Sequence, residues 1–401
     1  MARNSKHPQL EIWMNTEHVG QWRIDTNGRS QFRYTREWMA KKQARPISLS
    51  MPLRHPDAPY VGQVAEAYFD NLLPDSREIR ERIQARYHTA SMSPFELLKH
   101  IGRDCIGAVQ LLSTGEKPVD VETIQSVALD DNQVAQLLKT TVSNQKPGQD
   151  VEEDFRISLA GAQEKTALLK RADQWHRPLN STPTTHILKL PIGTIGRDQI
   201  DLSTSVENEW LCGQLVRQFD MDIANMEIAD FAGQRVLVVE RFDRKLASNG
   251  KWWMRLPQED MCQATTTPPH QKYESEGGPG ILDINKILLG SSDSLGDRRT
   301  FFKAQVLFWM LCAPDGHAKN FSIALLPGGQ YKLTPLYDVL SAYPLMGKGQ
   351  STLPRQKIKM AMASLGNNKH YKWNEITLEH WFSTVRKCGG DNEKTVAGLK
   401  M

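Results

Sequence analysis

The chain has no CxxC pair. Its five cysteines, Cys105, Cys212, Cys262, Cys312 and Cys388, are odd in number and far apart. That excludes a zinc ribbon and gives no disulfide framework, so a reducing cytoplasm is the expected setting. No run of 18 apolar residues occurs, so no membrane contact is expected. The first residues, "MARNSKHPQLEIW", carry neither the apolar stretch nor the cleavage pattern of a secretory leader. Charge of one sign is also lacking: 50 Lys+Arg stand against 46 Asp+Glu, a net charge of +4, which by itself does not indicate a nucleic-acid binder. No repeat recurs at a period of solenoid length.

What is present divides by texture. The 401 residues are enough for two domains or one large bilobed one. "LEIWMN", "VGQWRI" and "SQFRY" are rich in aromatic and β-branched residues and predict strands, with "TNG" as a turn. "SLSMPL" alternates as a strand does. "AEAYFDNLL" and "SREIRERIQARY" predict helices, the second with Ser76 as N-cap. Residues 143–153, "SNQKPGQDVEE", predict a linker. "FRISLAGAQEKTALLK" predicts strand, glycine-containing loop, strand. "THILKLP" predicts a strand. "SVENEWLCGQLVRQF" predicts a helix capped by Ser205, with Val206, Trp210, Leu211 and Leu215 on one face. "RVLVVERFDR" predicts a buried strand, and most of the chain past Asp283 predicts helix, broken at "YKLTPLYDV".

One stretch carries chemistry. "FFKAQVLFWMLCAPDGHAKNFSI" is almost all apolar for eleven residues, then places Asp315, His317, Lys319 and Asn320 together, then turns apolar again. Asp315 and Asn320 stand as D-x-x-x-x-N, and Asp338 follows in "LTPLYDVLSAYP". A phosphotransferase needs this set. One carboxylate takes or orients the proton of the attacking hydroxyl, while an amide and a second carboxylate hold Mg²⁺ against a triphosphate. The spacing alone is also met by helices that end in a polar turn. Lys189, the one lysine in the apolar "ILKLP", is either an edge-strand lysine or a cation for the α- and β-phosphates. Glu207 or Glu209 on the following helix could steady it, and Glu209 is preferred. In "VVERFD", Glu240 and Phe242 could offer main-chain contacts to adenine, and Asp243 could bond a ribose; otherwise it is a strand ending in a salt-bridged turn. "SLAGAQEK" (Ser158–Lys165) has one glycine, so it is neither a Walker A nor a GxGxxG loop. Its amides could still cradle phosphate.

Together these segments resemble the HipA family, the kinase toxins of HipBA toxin–antitoxin modules. The likeness extends over nearly the whole length. It is carried by "ARPISLSMPL", "FDNLLPDS", "IGRDCIGAVQL", "DFRISLAGAQEKTALL", "HILKLPIG", "VERFDR", "RLPQEDMCQ", "KYESEGGPGI", "DGHAKNFS" and "LTPLYDVLSAYP". The resemblance implies an α+β, bilobed, protein-kinase-like fold. Residues 1–142 would form an N-terminal subdomain, 150–242 the nucleotide-binding part of the N-lobe, and 243–401 a mostly helical C-lobe. It implies an ATP- and Mg²⁺-dependent serine/threonine protein kinase with Asp315 as catalytic base and Asn320 and Asp338 as metal ligands. ATP contacts are implied at Ala160, Gly161, Ala162, Gln163, Glu164, Lys165, Lys189, Glu240, Arg241, Phe242, Asp243, His317, Ala318, Lys319, Asn320, Tyr337 and Asp338. Ser158 is implied as an autophosphorylation site that switches the enzyme off. The implied partners are a small helix-turn-helix antitoxin (HipB), operator DNA reached through it with a nucleoid location, and glutamyl-tRNA synthetase as substrate.

Two features depart from the family pattern. Pro314 stands where relatives usually carry Thr or Asn, which removes a backbone donor and fixes φ. The chain ends at "VAGLKM", earlier than the pattern leads one to expect. Two rival readings remain open at this level: a small-molecule or lipid phosphotransferase on the same fold, and a non-catalytic DNA corepressor. Between Tyr343 and Met401 there are ten Lys+Arg and four Asp+Glu, and Lys369, Lys372, Arg386 and Lys387 are the candidate phosphate contacts.

Overall fold

The computed structural model describes residues 8–142, 157–196 and 199–390; the polar run expected as a linker at 143–153 lies outside them. The predicted N-terminal strands form. Gln9–Met14, Glu17–Ile24 and Ser30–Tyr34 pair antiparallel, with Tyr60–Val61 and Val109–Ser113 at the two edges. Their inward positions pack on the helices Gln63–Asp70 and Pro94–Ile101. Trp22 stacks on Phe69 with ring centroids 3.9 Å apart, and its indole N–H donates to Ser30 Oγ at 2.6 Å, so the one polar atom buried with the ring is satisfied.

A six-stranded antiparallel sheet follows, in the order Met226–Phe231, Gln234–Glu240, His186–Lys189, Lys165–Arg171, Gln174–Pro178, Ser126–Leu129. Lys165 and Lys189 are direct partners on neighbouring strands. Directly opposed residues project to the same face, so this register sets two lysines side by side. The Ser205–Gln218 helix packs on the same sheet. Its buried face is Val206, Glu209, Cys212 and Val216, not the expected one: Trp210 is half exposed and Leu211 is 53% exposed. The N-cap is Thr204 rather than Ser205, whose hydroxyl accepts from Ile192 N.

The C-lobe contains the helices Ile281–Leu288, Ser294–Met310 and Leu378–Lys387. Between the last two, the expected helix is replaced by the strands Ser322–Leu325 and Tyr331–Leu333, 3₁₀ turns, and a hairpin of Lys359–Leu365 with Lys369–Lys372. "SLSMPL" forms a turn bridged between Ser48 and Met51 instead of a strand. Its polar groups bond across to the C-lobe: Leu49 N reaches Glu259 Oε1 at 2.7 Å, and Ser50 Oγ reaches Gln263 O at 2.9 Å.

A buried ionic cluster joins the N-terminal unit to the end of the strand Gln234–Glu240. Asp104 faces Arg241, Arg244 and Arg255, and Asp243 faces Arg241 and Arg244. Burial works against the Asp104 charge, but the three guanidiniums outweigh it and hold the carboxyl well below its usual range.

Candidate active site

The long Ser294–Met310 helix is buried over its second half, from Phe301 to Phe308, and its end is abrupt. Cys312 takes the left-handed conformation (φ +47°), Cys312 N donates to Trp309 O at 3.1 Å, and Ala313 N to Phe308 O at 2.7 Å. That is a Schellman stop, and Pro314 directly after it cannot resume the helix. Pro314 O accepts from Ala361 N at 2.8 Å, so the residue where the chain departs from the family pattern is anchored to the C-terminal hairpin. Gly316 then packs under the loop, where a Cβ would lie 2.5 Å from the Phe308 ring. The polar residues of the opening motif are therefore set in a loop pinned at both ends.

Within that loop Asn320 donates its amide N–H to Asp315 O at 2.8 Å and lies 3.5 Å from Asp338 O. This leaves the amide oxygen as its free ligand atom. Asp315 is exposed, and the Tyr273 phenol donates to its Oδ1. His317 Nε2 lies 3.9 Å from the same oxygen, and its ring meets Tyr273 edge-on. His317 is 4% exposed, and burial pushes its pKa down against the pull of Asp315.

Asp338 holds φ +62°, a region non-glycine residues visit rarely and Asp tolerates better than most. Lys189 donates from Nζ to Glu209 Oε1 at 2.6 Å and to Asp338 Oδ1 at 2.8 Å. Burial lowers the Lys189 pKa, but Asp338 and Glu209 outweigh it and raise it above the usual lysine range. Glu209, 2% exposed, is raised by burial. The Asp338 carboxyl is held well below its usual range, since Lys189 and Lys165 outweigh the burial that would raise it. Lys165 is pushed down to about 8, first by burial and also by Lys189.

Asp315, His317, Asn320, Lys165, Lys189 and Asp338 line one cleft between the six-stranded sheet and the C-lobe, with Glu209 behind Lys189. Ala160, Gly161, Ala162, Gln163, Lys165, Lys189, Glu240, Arg241, Phe242, Asp243, Asp315, His317, Lys319, Asn320, Tyr337 and Asp338 all border it. Two expected contacts do not. Glu164 pairs instead with Arg82, and Ala318 is wholly buried. Three others border the cleft with their side chains already engaged. Asp243 accepts from Arg241 Nε at 3.0 Å and from Gly107 N at 2.7 Å, so its carboxylate is not available to a ribose. The Arg241 guanidinium is taken up in the same cluster. Lys319 Nζ is held at 2.8 Å from Asn71 Oδ1, 3.3 Å from Asp75 Oδ1 and 3.7 Å from Asp260 Oδ2.

Ser158 is fully buried beside the cleft, its hydroxyl donating to Leu72 O at 2.7 Å. On the C-lobe, Lys369 pairs with Glu274 at 2.7 Å and Lys372 with Glu375 at 2.8 Å, while Arg386 and Lys387 are exposed on the last turn of their helix. Among the described residues no group of three or more His, Cys, Asp or Glu forms a metal cluster. A hard cation would instead find two oxygen donors, the Asn320 amide and the Asp338 carboxylate, a set that fits Mg²⁺ completed by water and phosphate. Tyr273, Asn71, Asp75 and Lys272 escaped the sequence reading. The only available signal was their place in "KYESEGGPGI" and "FDNLLPDS".

A buried strand lysine on a helix glutamate, an exposed carboxylate on a pinned loop, and an Asn/Asp pair between two lobes define the class: a kinase-like phosphotransferase fold. The solved Shewanella oneidensis HipA, in its complex with HipB and operator DNA, shares the fold with a TM-score of 0.77 at 20% identity, over 97% of this chain and 87% of that one. The HipA-like C-terminal domain matches residues 157–399 and the HipA N-terminal domain residues 10–112. The chain belongs to the HipA family. A Sinorhizobium fredii protein named as a candidate kinase, Y4mE, is 33% identical over 386 residues, covering 95% of this chain and 86% of that protein. The serine/threonine-protein kinase toxin HipA of Shewanella oneidensis is 25% identical over 352 residues, covering 83% and 75%. Among the described residues no helix is long and apolar enough to cross a membrane.

Proposed function

We propose that this chain transfers the γ-phosphoryl group of ATP to a serine or threonine hydroxyl of a protein, as the toxin of a toxin–antitoxin pair. The observation that carries the reading is the buried Lys189–Glu209 pair, which also reaches Asp338 and shares its cleft with Asp315 and Asn320. Phosphoryl transfer needs mainly positioning and charge neutralisation. Lys189 meets the α- and β-phosphates. The acceptor hydroxyl donates to Asp315, its oxygen bonds to the γ-phosphorus as the bridge to the β-phosphate breaks, and the proton ends on the Asp315 carboxylate. Asn320 and Asp338 would hold Mg²⁺, which would supply neutralisation of the triphosphate charge. Adenine takes main-chain contacts along Glu240–Phe242, and the Ala160–Lys165 loop covers the phosphates, with His317 and Tyr337 on the opposite wall.

By resemblance, the protein acceptor is glutamyl-tRNA synthetase, and blocking it halts translation and brings dormancy. Autophosphorylation at Ser158 ends activity. A HipB-like antitoxin restrains the kinase and carries it to operator DNA, and the HipA–HipB–DNA assembly of the Shewanella relative supports that partnership. DNA contact is assigned to Arg386 and Lys387, exposed on the last turn of their helix, with Lys387 also donating to Gly366 O, while Lys369 and Lys372 are paired with Glu274 and Glu375. ATP consumption and labelled phosphate transfer by wild type and Asp315→Asn test the reading. The variant keeps ATP binding and loses about 10²–10⁴-fold in transfer, the range of general-base contributions. Transfer near the wild-type rate refutes the role of Asp315, and label appearing in a small molecule rather than protein refutes the substrate class.

A further inference from the structure

The segment "FDNLLPDS" belongs to the N-terminal unit, yet one turn of it, Asn71–Asp75, touches the Asp315 loop at Lys319, the Ser158–Gly161 segment and Lys272. Asn71 is buried, and it accepts from Lys319 Nζ with both its main-chain oxygen, at 3.1 Å, and its Oδ1, at 2.8 Å. Leu72 O accepts the Ser158 hydroxyl at 2.7 Å. Pro74 bridges to Gly161, and Asp75 N donates to Gly161 O at 3.0 Å. The Asp75 carboxylate lies between two lysines, 2.8 Å from Lys272 and 3.3 Å from Lys319. Lys272 precedes Tyr273, whose phenol donates to Asp315, and Lys319 lies in the same loop as Asp315. One carboxylate therefore grips the chain on both sides of the acceptor-facing base. A buried ammonium needs an opposite charge nearby, and the N-terminal unit supplies it for both lysines. Burial opposes the Asp75 charge, but Lys319 and Lys272 prevail and hold its carboxyl down at about 2.

We infer that the Asn71–Asp75 turn is a positioning element of the phosphotransfer site, with Asp75 fixing the loop that carries Asp315. The N-terminal unit is then part of the catalytic machinery, not an appended module. This rests on the kinase reading. A misplacement of about 1 Å costs on the order of 10²-fold in rate where reaction depends on alignment. In the full chain, Asp75→Asn lowers kcat for phosphate transfer roughly 10- to 100-fold. The KM for ATP stays within about threefold, because the ATP-facing Lys189 is untouched. Asp75→Glu restores part of the rate. Asp70→Asn, which removes the Arg80 pair on the same unit, leaves kcat unchanged. Hydrogen exchange supplies a readout independent of activity: amides of 315–320 exchange faster in Asp75→Asn, while the Ser294–Met310 helix stays protected. An unchanged kcat, a loss confined to KM, or unchanged exchange at 315–320 overturns the inference. If the wild type shows no Asp315-dependent transfer, the kinase reading fails, and the exchange comparison alone still decides the role of Asp75.

Discussion

Burying an ammonium group in a strand is expensive unless opposite charge replaces the lost hydration. Lys189, 6% exposed, meets that condition with Glu209 and Asp338. Removing the lysine alone leaves Glu209 buried without a cation. Lys189→Met is therefore expected to lose about 3–5 kcal/mol of stability along with ATP binding. Replacing both partners with apolar groups of similar volume removes the uncompensated charge. Lys189→Met combined with Glu209→Leu should regain most of the stability and none of the ATP binding. Urea denaturation and an ATP titration check this, and a double variant no more stable than the single one would contradict it. The same anomaly made these residues legible in sequence: charge inside an apolar element calls for a partner or a ligand. Of the two readings of "VVERFD", the contacts of Asp243 with Arg241 and Arg244 fit the salt-bridged turn. The engagement of Lys319 was not legible, because its partner Asn71 lies 248 residues away and no local pattern announces such a pairing.

At the scale of an element, the short strand Gln258–Asp260 places Glu259 in the interior at 1% exposure. Its Oε1 accepts from Leu49 N, Oε2 has no hydrogen-bond partner, and burial pushes its carboxyl up to about 8 from 4.5. The folded chain then holds a proton that the unfolded chain releases above 4.5, so stability falls as pH rises through this interval. The slope is at most about 1.4 kcal/mol per pH unit. Glu259→Gln should flatten the fall in thermal midpoint between pH 6.5 and 8, and should be the more stable protein at pH 8. Parallel slopes for variant and wild type would show that Glu259 is ionised in the fold. This strand also explains why "SLSMPL" misled. Alternation predicts a strand only if neighbouring backbone completes the ladder, and here Glu259 and Gln263 side chains and carbonyls take the bonds. Elements with self-contained signals were legible: the hairpin of the first two strands, and the Arg77–Tyr87 helix with Ser76 accepting from Ile79 N. The Ser205–Gln218 helix turned a different face inward because Glu209 is required by Lys189, a demand hydrophobic periodicity does not register.

Across the whole molecule, Ser158 lies where three parts meet. Its amide donates to Asp104 O at 3.1 Å, its hydroxyl to Leu72 O at 2.7 Å, and Gly161 beside it bridges to Pro74. A phosphate on that hydroxyl adds a charge of about −1.5 to −2 and three acceptor oxygens. Full burial of the hydroxyl against a carbonyl disfavours such a charge there. Segment 157–161 must leave, and it takes with it the wall of the cleft that faces Lys165 and Lys189. The N-terminal unit loses its two backbone bridges to that segment in the same step. Phosphorylation at Ser158 is therefore expected to lower ATP affinity by at least about tenfold, since like charges and a missing wall act together. Ser158→Ala removes one hydrogen bond, worth about 1 kcal/mol, and should bind ATP as the wild type does. Titrating ATP into unphosphorylated, Ser158-phosphorylated and Ser158→Ala protein compares the three states. Equal affinities in the first two would mean that the segment stays seated and that the serine is an ordinary buried hydroxyl.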